Sequence, residues 1–286
     1  MKIVDTLPYF LSDFQPQLCF LREYYEEYPD IFSEYFAYHC KDTDERLANS
    51  IEKYASTIPT IKQVHKNIIP IIKDITNQYN RIYQVSFPIE VNLIVGGFGS
   101  NAYTHRQIIP NITFALEKLS PVPEHLKTIV AHEFGHAAQN ILSNNSGMDW
   151  SKVNWNSPLT WLNQEGTAIH FTRKTVRNLY PSVYFHFNDE GQDWLTFAKA
   201  NSENIKLEFA KDFFAETSTE LFREWFSING GKKFGHSRLG YFLGDLFFQN
   251  QIKALGETKA IIAWKESNFK EQVKNWLLDK NISMNK

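Results

Sequence analysis

The sequence predicts an α+β fold that is mostly helical, with one small β-sheet near the middle of the chain. Apolar residues recur at helical spacing over residues 10–80 and again after Pro123, as expected for amphipathic helices. Residues 85–95 instead alternate apolar and polar side chains and include many β-branched types, which indicates a strand. A glycine-rich turn follows at residues 96–101, and a second strand-like pattern covers residues 108–116.

This change of pattern predicts two regions along the chain. Residues 1–83 are expected to form a helical N-terminal region, because the helical pattern persists up to the first strand. Residues 84–286 are expected to contain the sheet and a helical C-terminal part. Helix breaks are predicted near Pro29, 41–44, Pro59 and Pro70, and helices over 123–144, from Pro158 onward, and over 202–226, 239–255 and 265–278.

Charge and composition exclude several classes of partner. The 286 residues carry a formal net charge of −2, so nothing favours nucleic acid or an anionic membrane surface. No segment approaches the ~20 apolar residues that span a bilayer, and the N-terminus does not resemble a secretory signal. The two cysteines, Cys19 and Cys40, are expected to be thiols. We therefore expect a cytoplasmic protein with no nucleic-acid or membrane partner.

The most informative stretch is His132-Glu133-Phe134-Gly135-His136, an H-E-x-x-H pattern inside a predicted helix. Two histidines four residues apart lie on one helical face, so both imidazoles can bind one metal ion. The adjacent glutamate points towards the same ion and can accept a proton from a bound water. His132 and His136 are therefore candidate ligands, and Glu133 is a candidate general base.

Zinc bound by two histidines needs a third protein ligand and keeps a fourth position for water. A third histidine close behind the motif is excluded, because residues 137–145 contain none. A carboxylate is available further on, at Glu165 in the segment Trp161-Leu-Asn-Gln-Glu-Gly-Thr-Ala168. A turn after the first helix would let a second helix place Glu165 near the ion.

These blocks resemble the gluzincin metallopeptidases. Residues 161–168 are similar to the W-L-N-E-G-x-A segment of their aminopeptidase-like branch. Gly240-Tyr241-x-x-Gly244 resembles the G-Y-x-x-G of the bacterial YjaZ-like predicted zinc-dependent proteases. The resemblance covers residues 125–248 and implies a zincin-like catalytic domain. It also implies that His132, His136 and Glu165 bind Zn²⁺, with Glu133 as general base and Tyr241 steadying the oxyanion.

The sequence departs from this family in two places. Gln164 is inserted between Asn163 and Glu165, and Ile169 stands where thermolysin-type members have an acidic residue that orients a histidine. That partner must then come from elsewhere, and Asp212 and Glu216 are the candidates. His236 and Arg238 remain rivals of Tyr241 as the oxyanion donor.

A substrate peptide is expected to add to an edge strand before the motif helix. The candidate segments are residues 97–104 and 112–115, and Asn101, Ala102 and Thr113 are the predicted substrate-binding residues. Glycines in the first segment would let the substrate backbone approach closely.

The predicted function is hydrolysis of peptide bonds by a zinc-activated water, and the partner is a peptide or protein substrate. The alternative is a non-catalytic zincin-like protein that binds a peptide or partner and keeps the metal for stability. Hydrolysis of another amide or ester is also open. The intact Glu133 favours an enzyme, because a purely structural metal site needs no general base.

Overall fold

A computed structural model describes residues 1–12 and 14–279. It is mostly helical, with a small mixed sheet of four strands, which confirms the predicted α+β class. The strands are β1 (Lys2–Asp5), β2 (Glu90–Ile94), β3 (Ala102–Thr104) and β4 (Ile112–Ala115). The helices are α1 (Leu7–Ser12), α2 (Leu18–Glu27), α3 (Pro29–Tyr38), α4 (Asp44–Tyr83), α5 (Pro123–Asn145), α6 (Pro158–Thr175), α7 (Val183–His186), α8 (Gln192–Ala200), α9 (Ser202–Ala215), α10 (Ser218–Trp225), α11 (Leu239–Leu255), α12 (Glu257–Ile262) and α13 (Phe269–Leu278).

Contacts within the chain divide it into two compact units, residues 1–137 and 138–286. Helix α5 runs from the first into the second. This division does not coincide with the predicted boundary between residues 83 and 84. The reason lies in the first unit, where β1 pairs in parallel with β2 and the Tyr79 hydroxyl of α4 donates to the Ala131 carbonyl of α5, 2.6 Å away.

The sheet of the first unit has the order β1-β2-β4-β3, with β3 antiparallel to β4 and the other pairs parallel. Strand β4 therefore lies between β2 and β3. The predicted strands over 85–95 and 108–116 are real but shorter, because only residues 90–94 and 112–115 pair. Side chains alternate across the sheet, so Val91 and Leu93 share one face and Asn92 lies on the other.

Helix α4 is continuous for 40 residues, so the predicted breaks at Pro59 and Pro70 are wrong. Both prolines are on the exposed side of the helix, whereas Tyr54, Ile61 and Ile68 are fully buried. A proline there removes one hydrogen bond on the solvent side. Burial of the apolar stripe on the opposite side outweighs that loss, because tertiary packing contributes most of the stability of helices in proteins.

The second unit is built around an aromatic core, with α6 and α11 packed directly together. The predicted helix over residues 202–226 is instead α9 and α10, separated at Glu216 and Thr217. The Thr217 side chain accepts the Glu220 backbone N–H, and the Glu220 carboxylate accepts the Thr217 backbone N–H. This capping box begins a new helix. The predicted bounds of α11 are confirmed.

Candidate metal centre

Helix α5 presents the two histidines of the H-E-x-x-H pattern on one face. It begins at Pro123, where the missing N–H of proline costs no helical hydrogen bond. The imidazole rings of His132 and His136 lie 4.8 Å apart between centroids and are perpendicular, at 89°. His132 is 2% exposed and Glu133 is 8% exposed, so both are screened from bulk water.

Helix α6 carries Glu165, two turns from its first residue, Pro158. Glu165 is half-buried, and Gly166 directly after it is buried. A Cβ added at Gly166 would lie 2.0 Å from the Gly244 carbonyl oxygen of α11. The two helices therefore touch backbone to backbone beside Glu165, and this contact defines where its side chain begins.

The ligand atoms of His132, His136 and Glu165 all lie within 4.8 Å of one another. Among the residues that the structure describes, this is the one group of three or more such side chains that could hold a metal ion. One zinc ion binds nitrogen and oxygen ligands at about 2.0–2.2 Å, so three ligand atoms within 4.8 Å of one another are close to the spacing that a single ion requires.

The donor types of this group also fit zinc. Two imidazoles and one carboxylate are a ligand set found in catalytic zinc sites, which leave a fourth position for water or substrate. Structural zinc sites in contrast are usually closed by four protein ligands, often thiolates. Cys19 is exposed and Cys40 is buried among other residues, and neither belongs to the group.

Tyr241 is near the start of α11, one turn before Gly244. Because Gly244 touches Gly166, Tyr241 and Glu165 flank the same contact between α6 and α11. Aromatic contacts link these helices too: the rings of Trp161 and Phe226 lie 5.6 Å apart, and those of Phe226 and Tyr241 6.3 Å apart. Tyr241 is half-buried.

The two rival donors lie just before α11. The His236 ring packs on Phe197, with centroids 4.2 Å apart. The Arg238 guanidinium lies over the Tyr241 ring at 4.1 Å from its centroid. Arg238 is also in the left-handed region, with φ 62° and ψ 24°, a conformation that costs a residue with a Cβ roughly 1–2 kcal/mol.

Asp212 and Glu216, the predicted partners of a ligand histidine, do not belong to the metal-binding group. The Asp212 carboxylate accepts from the Trp225 indole N–H at 2.9 Å and from the Lys233 ammonium at 2.6 Å. Both acids line a cavity of about 270 Å³ beside α10. Asp212 is thus bound by Trp225 of α10 and by Lys233 in the segment that follows α10.

Of the predicted substrate-binding residues, Asn101 and Ala102 lie at the start of β3, an edge strand. Thr113 lies in β4, which is paired on both sides, so the expectation that residues 112–115 offer a free edge is wrong. The Thr113 hydroxyl is fully buried, 3.1 Å from the Asn92 amide nitrogen and 2.8 Å from Nε2 of His105. Thr113 therefore forms hydrogen bonds inside the sheet.

The glycine-rich turn before β3 is held by side chains that the sequence analysis did not single out. The Tyr54 hydroxyl donates to the Gly96 carbonyl at 2.6 Å, and the Arg46 Nε donates to the Gly97 carbonyl at 2.7 Å. Arg46 also donates to the Phe98 carbonyl. The turn needs glycine because Tyr35 and the His39 carbonyl leave no space for a Cβ at Gly96 or Gly99.

Glu117 is a further buried side chain that binds the glycine-rich turn. It is 6% exposed, and its Oε1 accepts the Phe98 backbone N–H at 3.2 Å. Burial raises the pKa of Glu117 to about 7, although backbone N–H groups of the turn partly oppose that shift. The one available signal in the sequence is a single acid within the apolar run of residues 112–119, which does not reveal its partners.

None of the helices in the described part of the chain is both long enough and apolar enough to cross a membrane. Comparisons with protein-family models, curated proteins and solved structures give no match to this chain.

Proposed function

We propose that this chain is a zinc-dependent metallopeptidase of the gluzincin type, which hydrolyses peptide bonds with water. The observation that carries the proposal is the convergence of His132, His136 and Glu165 ligand atoms within 4.8 Å. Glu133, the glutamate of the H-E-x-x-H pattern, lies on α5 with the two histidines. The cytoplasmic location and the exclusion of nucleic acid and membrane remain predictions from composition.

Two local features of the fold support the positions of the three proposed ligands. Helical spacing brings His132 and His136 together on α5. The close contact of Gly166 with Gly244 fixes the part of α6 that carries Glu165. A zinc ion held by these three side chains would supply Lewis acidity and lower the pKa of a bound water towards ~7.

Glu133 is the proposed general base. Its carboxylate accepts a proton from the attacking water and then donates a proton to the leaving amine. The 8% exposure of Glu133 limits competition from bulk water for that proton. General acid–base catalysis of this kind contributes about 10²- to 10⁴-fold to rates.

Tyr241 is the proposed oxyanion donor. A phenol donates a hydrogen bond to the negative charge that develops on the carbonyl oxygen as water adds, and one such donor is worth about 10²- to 10³-fold. Its position beside the α6–α11 contact favours it over His236, whose ring packs on Phe197.

The substrate is proposed to lie along β3. This strand is antiparallel to β4 on one side and is at the end of the sheet, so an extended peptide can pair with its other side. Asn101 is at the beginning of that edge, where its own side chain accepts the Ala102 N–H at 2.9 Å. The Asn101 carbonyl already accepts the Ala115 N–H at 2.9 Å, so contacts with a substrate would use the remaining backbone groups of β3.

The direct test is a peptide-library assay of purified, zinc-loaded protein, with the variants Glu133→Gln and Glu124→Gln side by side. Glu124 is an exposed residue in the first turn of the same helix, so it controls for loss of a carboxylate from α5. We expect Glu133→Gln to lose at least 100-fold in kcat with the zinc content unchanged, and Glu124→Gln to retain activity.

Equal turnover by wild type and Glu133→Gln would exclude the role assigned to Glu133. If zinc-loaded wild type binds peptides but cleaves none, the chain is a non-catalytic peptide-binding protein. In that case chelation would lower the melting temperature without changing any rate.

A further inference from the structure

Arg238 is held between two aromatic rings at the start of α11. Its guanidinium carbon lies 4.1 Å from the centroid of the Tyr241 ring and 5.2 Å from that of the Phe187 ring. Cation–π contacts of this kind hold the guanidinium beside the rings without using its N–H groups as hydrogen-bond donors.

No hydrogen bond or ion pair of the Arg238 side chain is found among residues 1–12 and 14–279. Other arginines that are at least partly buried have such partners. Arg173 forms a two-pronged pair with Asp245, at 2.5 and 2.7 Å, and Arg46 donates to carbonyls of the 96–99 turn. A guanidinium that is fixed in place yet keeps its donors is suited to binding an anion.

Two histidines lie close to Arg238. His186 and His236 are close enough that their charges matter: the pKa of His186 is lowered to about 4 by burial, then by Arg238 and His236. The Nε2 atom of His186 is buried and has no hydrogen-bond partner in the described part of the chain. None of the groups that shift the pKa of His186 is a carboxylate.

The backbone conformation of Arg238 and Phe187 is a second indication of a ligand-binding site. Arg238 and Phe187 both have positive φ, 62° and 60°, although neither is glycine. Strained residues of this type persist where the surrounding structure holds them, and they cluster at ligand-binding sites. Here both residues with positive φ belong to the group formed by Arg238, Phe187 and Tyr241.

We propose that Arg238 binds a carboxylate of the peptide substrate, so that peptides with a carboxylate close to the scissile bond are preferred. This inference rests on the proposed function, because it places the carboxylate relative to Tyr241 as oxyanion donor. The carboxylate is either the C-terminal group of a short peptide or the side chain of an aspartate or glutamate. Arg238 presents a planar fork that matches both oxygens.

The test measures peptide binding to zinc-loaded Glu133→Gln protein by calorimetry. Four peptides form two matched pairs. The members of one pair differ only in a C-terminal acid or amide, and those of the other differ only in glutamate or glutamine next to the scissile bond. We expect one of the acid-bearing peptides to bind about 10- to 100-fold more tightly than its neutral match, as charge-assisted hydrogen bonds do. The pair that shows the difference identifies the source of the carboxylate.

Three further variants are compared in the same Glu133→Gln background. Arg238→Gln removes the guanidinium, and Arg223→Gln removes an exposed guanidinium from α10. We expect Arg238→Gln to abolish the preference for the acid, Arg223→Gln to keep it, and Arg238→Lys to restore part of it. A general loss of fold would weaken acid and neutral peptides alike, so the ratio of their affinities isolates the carboxylate contact.

The outcomes separate this inference from the proposed function. If wild type cleaves peptides but acid and neutral peptides bind equally, the role of Arg238 is wrong and the peptidase stands. If no peptide is cleaved by wild type, yet the acid preference depends on Arg238, the peptidase is wrong and the carboxylate site stands. If no peptide binds or is cleaved, both are wrong.

Discussion

Gly166 of α6 and Gly244 of α11 pack so closely that neither position has space for a side chain. A Cβ at Gly166 would lie 2.0 Å from the Gly244 carbonyl oxygen, and one at Gly244 would lie 2.4 Å from the Leu162 carbonyl oxygen. Glu165 directly precedes Gly166, and Tyr241 lies one turn before Gly244. The contact therefore links the position of a candidate zinc ligand to that of the candidate oxyanion donor.

Gly166→Ala is expected to destabilise the protein by about 3 kcal/mol, because backbone atoms that the new methyl group meets cannot rotate away. Gly147→Ala is the control: Gly147 has positive φ, but nothing lies within 4 Å of an added Cβ. It should cost only about 1 kcal/mol. The measurement is the free energy of unfolding in denaturant. A smaller effect for Gly166→Ala than for Gly147→Ala would contradict the packing argument.

Glu117→Gln is expected to change how stability depends on pH. In the folded protein burial raises the pKa of Glu117 from 4.5 to about 7. Between these values the folded form keeps the proton that the unfolded chain releases. The contribution of Glu117 is thus fully present below pH 4.5 and is lost as pH rises through about 7, by about 3 kcal/mol in total.

Glutamine does not titrate, so the variant should gain about 3 kcal/mol relative to wild type between pH 4 and pH 8. The measurement is the difference in unfolding free energy across that range, in which all other titrating groups cancel. A difference that does not change with pH would show that Glu117 titrates near its ordinary pKa.

Asp245→Asn is expected to destabilise the protein by about 3 kcal/mol, because it leaves the Arg173 guanidinium without its charged partner. The Asp245 side chain is 11% exposed and forms the two short hydrogen bonds with Arg173. Glu90→Gln is the control, since the Lys2–Glu90 pair is largely exposed and such pairs contribute less than about 1 kcal/mol. Thermal unfolding of both variants would show whether the buried pair matters more.

Tyr241→Phe is expected to lower kcat by about 100-fold and to change KM little, since the hydroxyl acts when negative charge develops. His236→Gln should keep most of its kcat, because the His236 ring packs on Phe197. Steady-state kinetics on one cleaved peptide provide both constants. If instead His236→Gln loses kcat and Tyr241→Phe does not, the oxyanion donor is His236.

The sequence predicts those parts of the fold that depend on interactions between residues close together in the chain. The spacing of His132 and His136 requires only a helix, and Pro158 begins α6 where a first-turn proline is favoured. The continuity of α4 through Pro59 and Pro70 was not predictable, because it depends on apolar packing far along the chain. Local propensity alone does not contain that information.

The candidate site also contains residues that the sequence predicts and residues that it does not. Glu165 could be predicted, because zinc bound by two histidines needs a third protein ligand and a second helix can supply it. Glu117 could not be predicted, because its role depends on the folded 96–99 turn, which hydroxyls from α3 and α4 also bind. The pairing of β4 on both sides likewise depends on strand order, which alternation within one strand does not specify.

The zinc content of purified protein after dialysis against limiting zinc tests the central claim most directly. We predict one ion per chain in wild type and in Glu133→Gln. We expect loss of that ion in His132→Ala, His136→Ala and Glu165→Gln, each of which removes one of three converging ligands. Wild-type protein without zinc, or Glu165→Gln protein that binds zinc as tightly as wild type, would contradict the account.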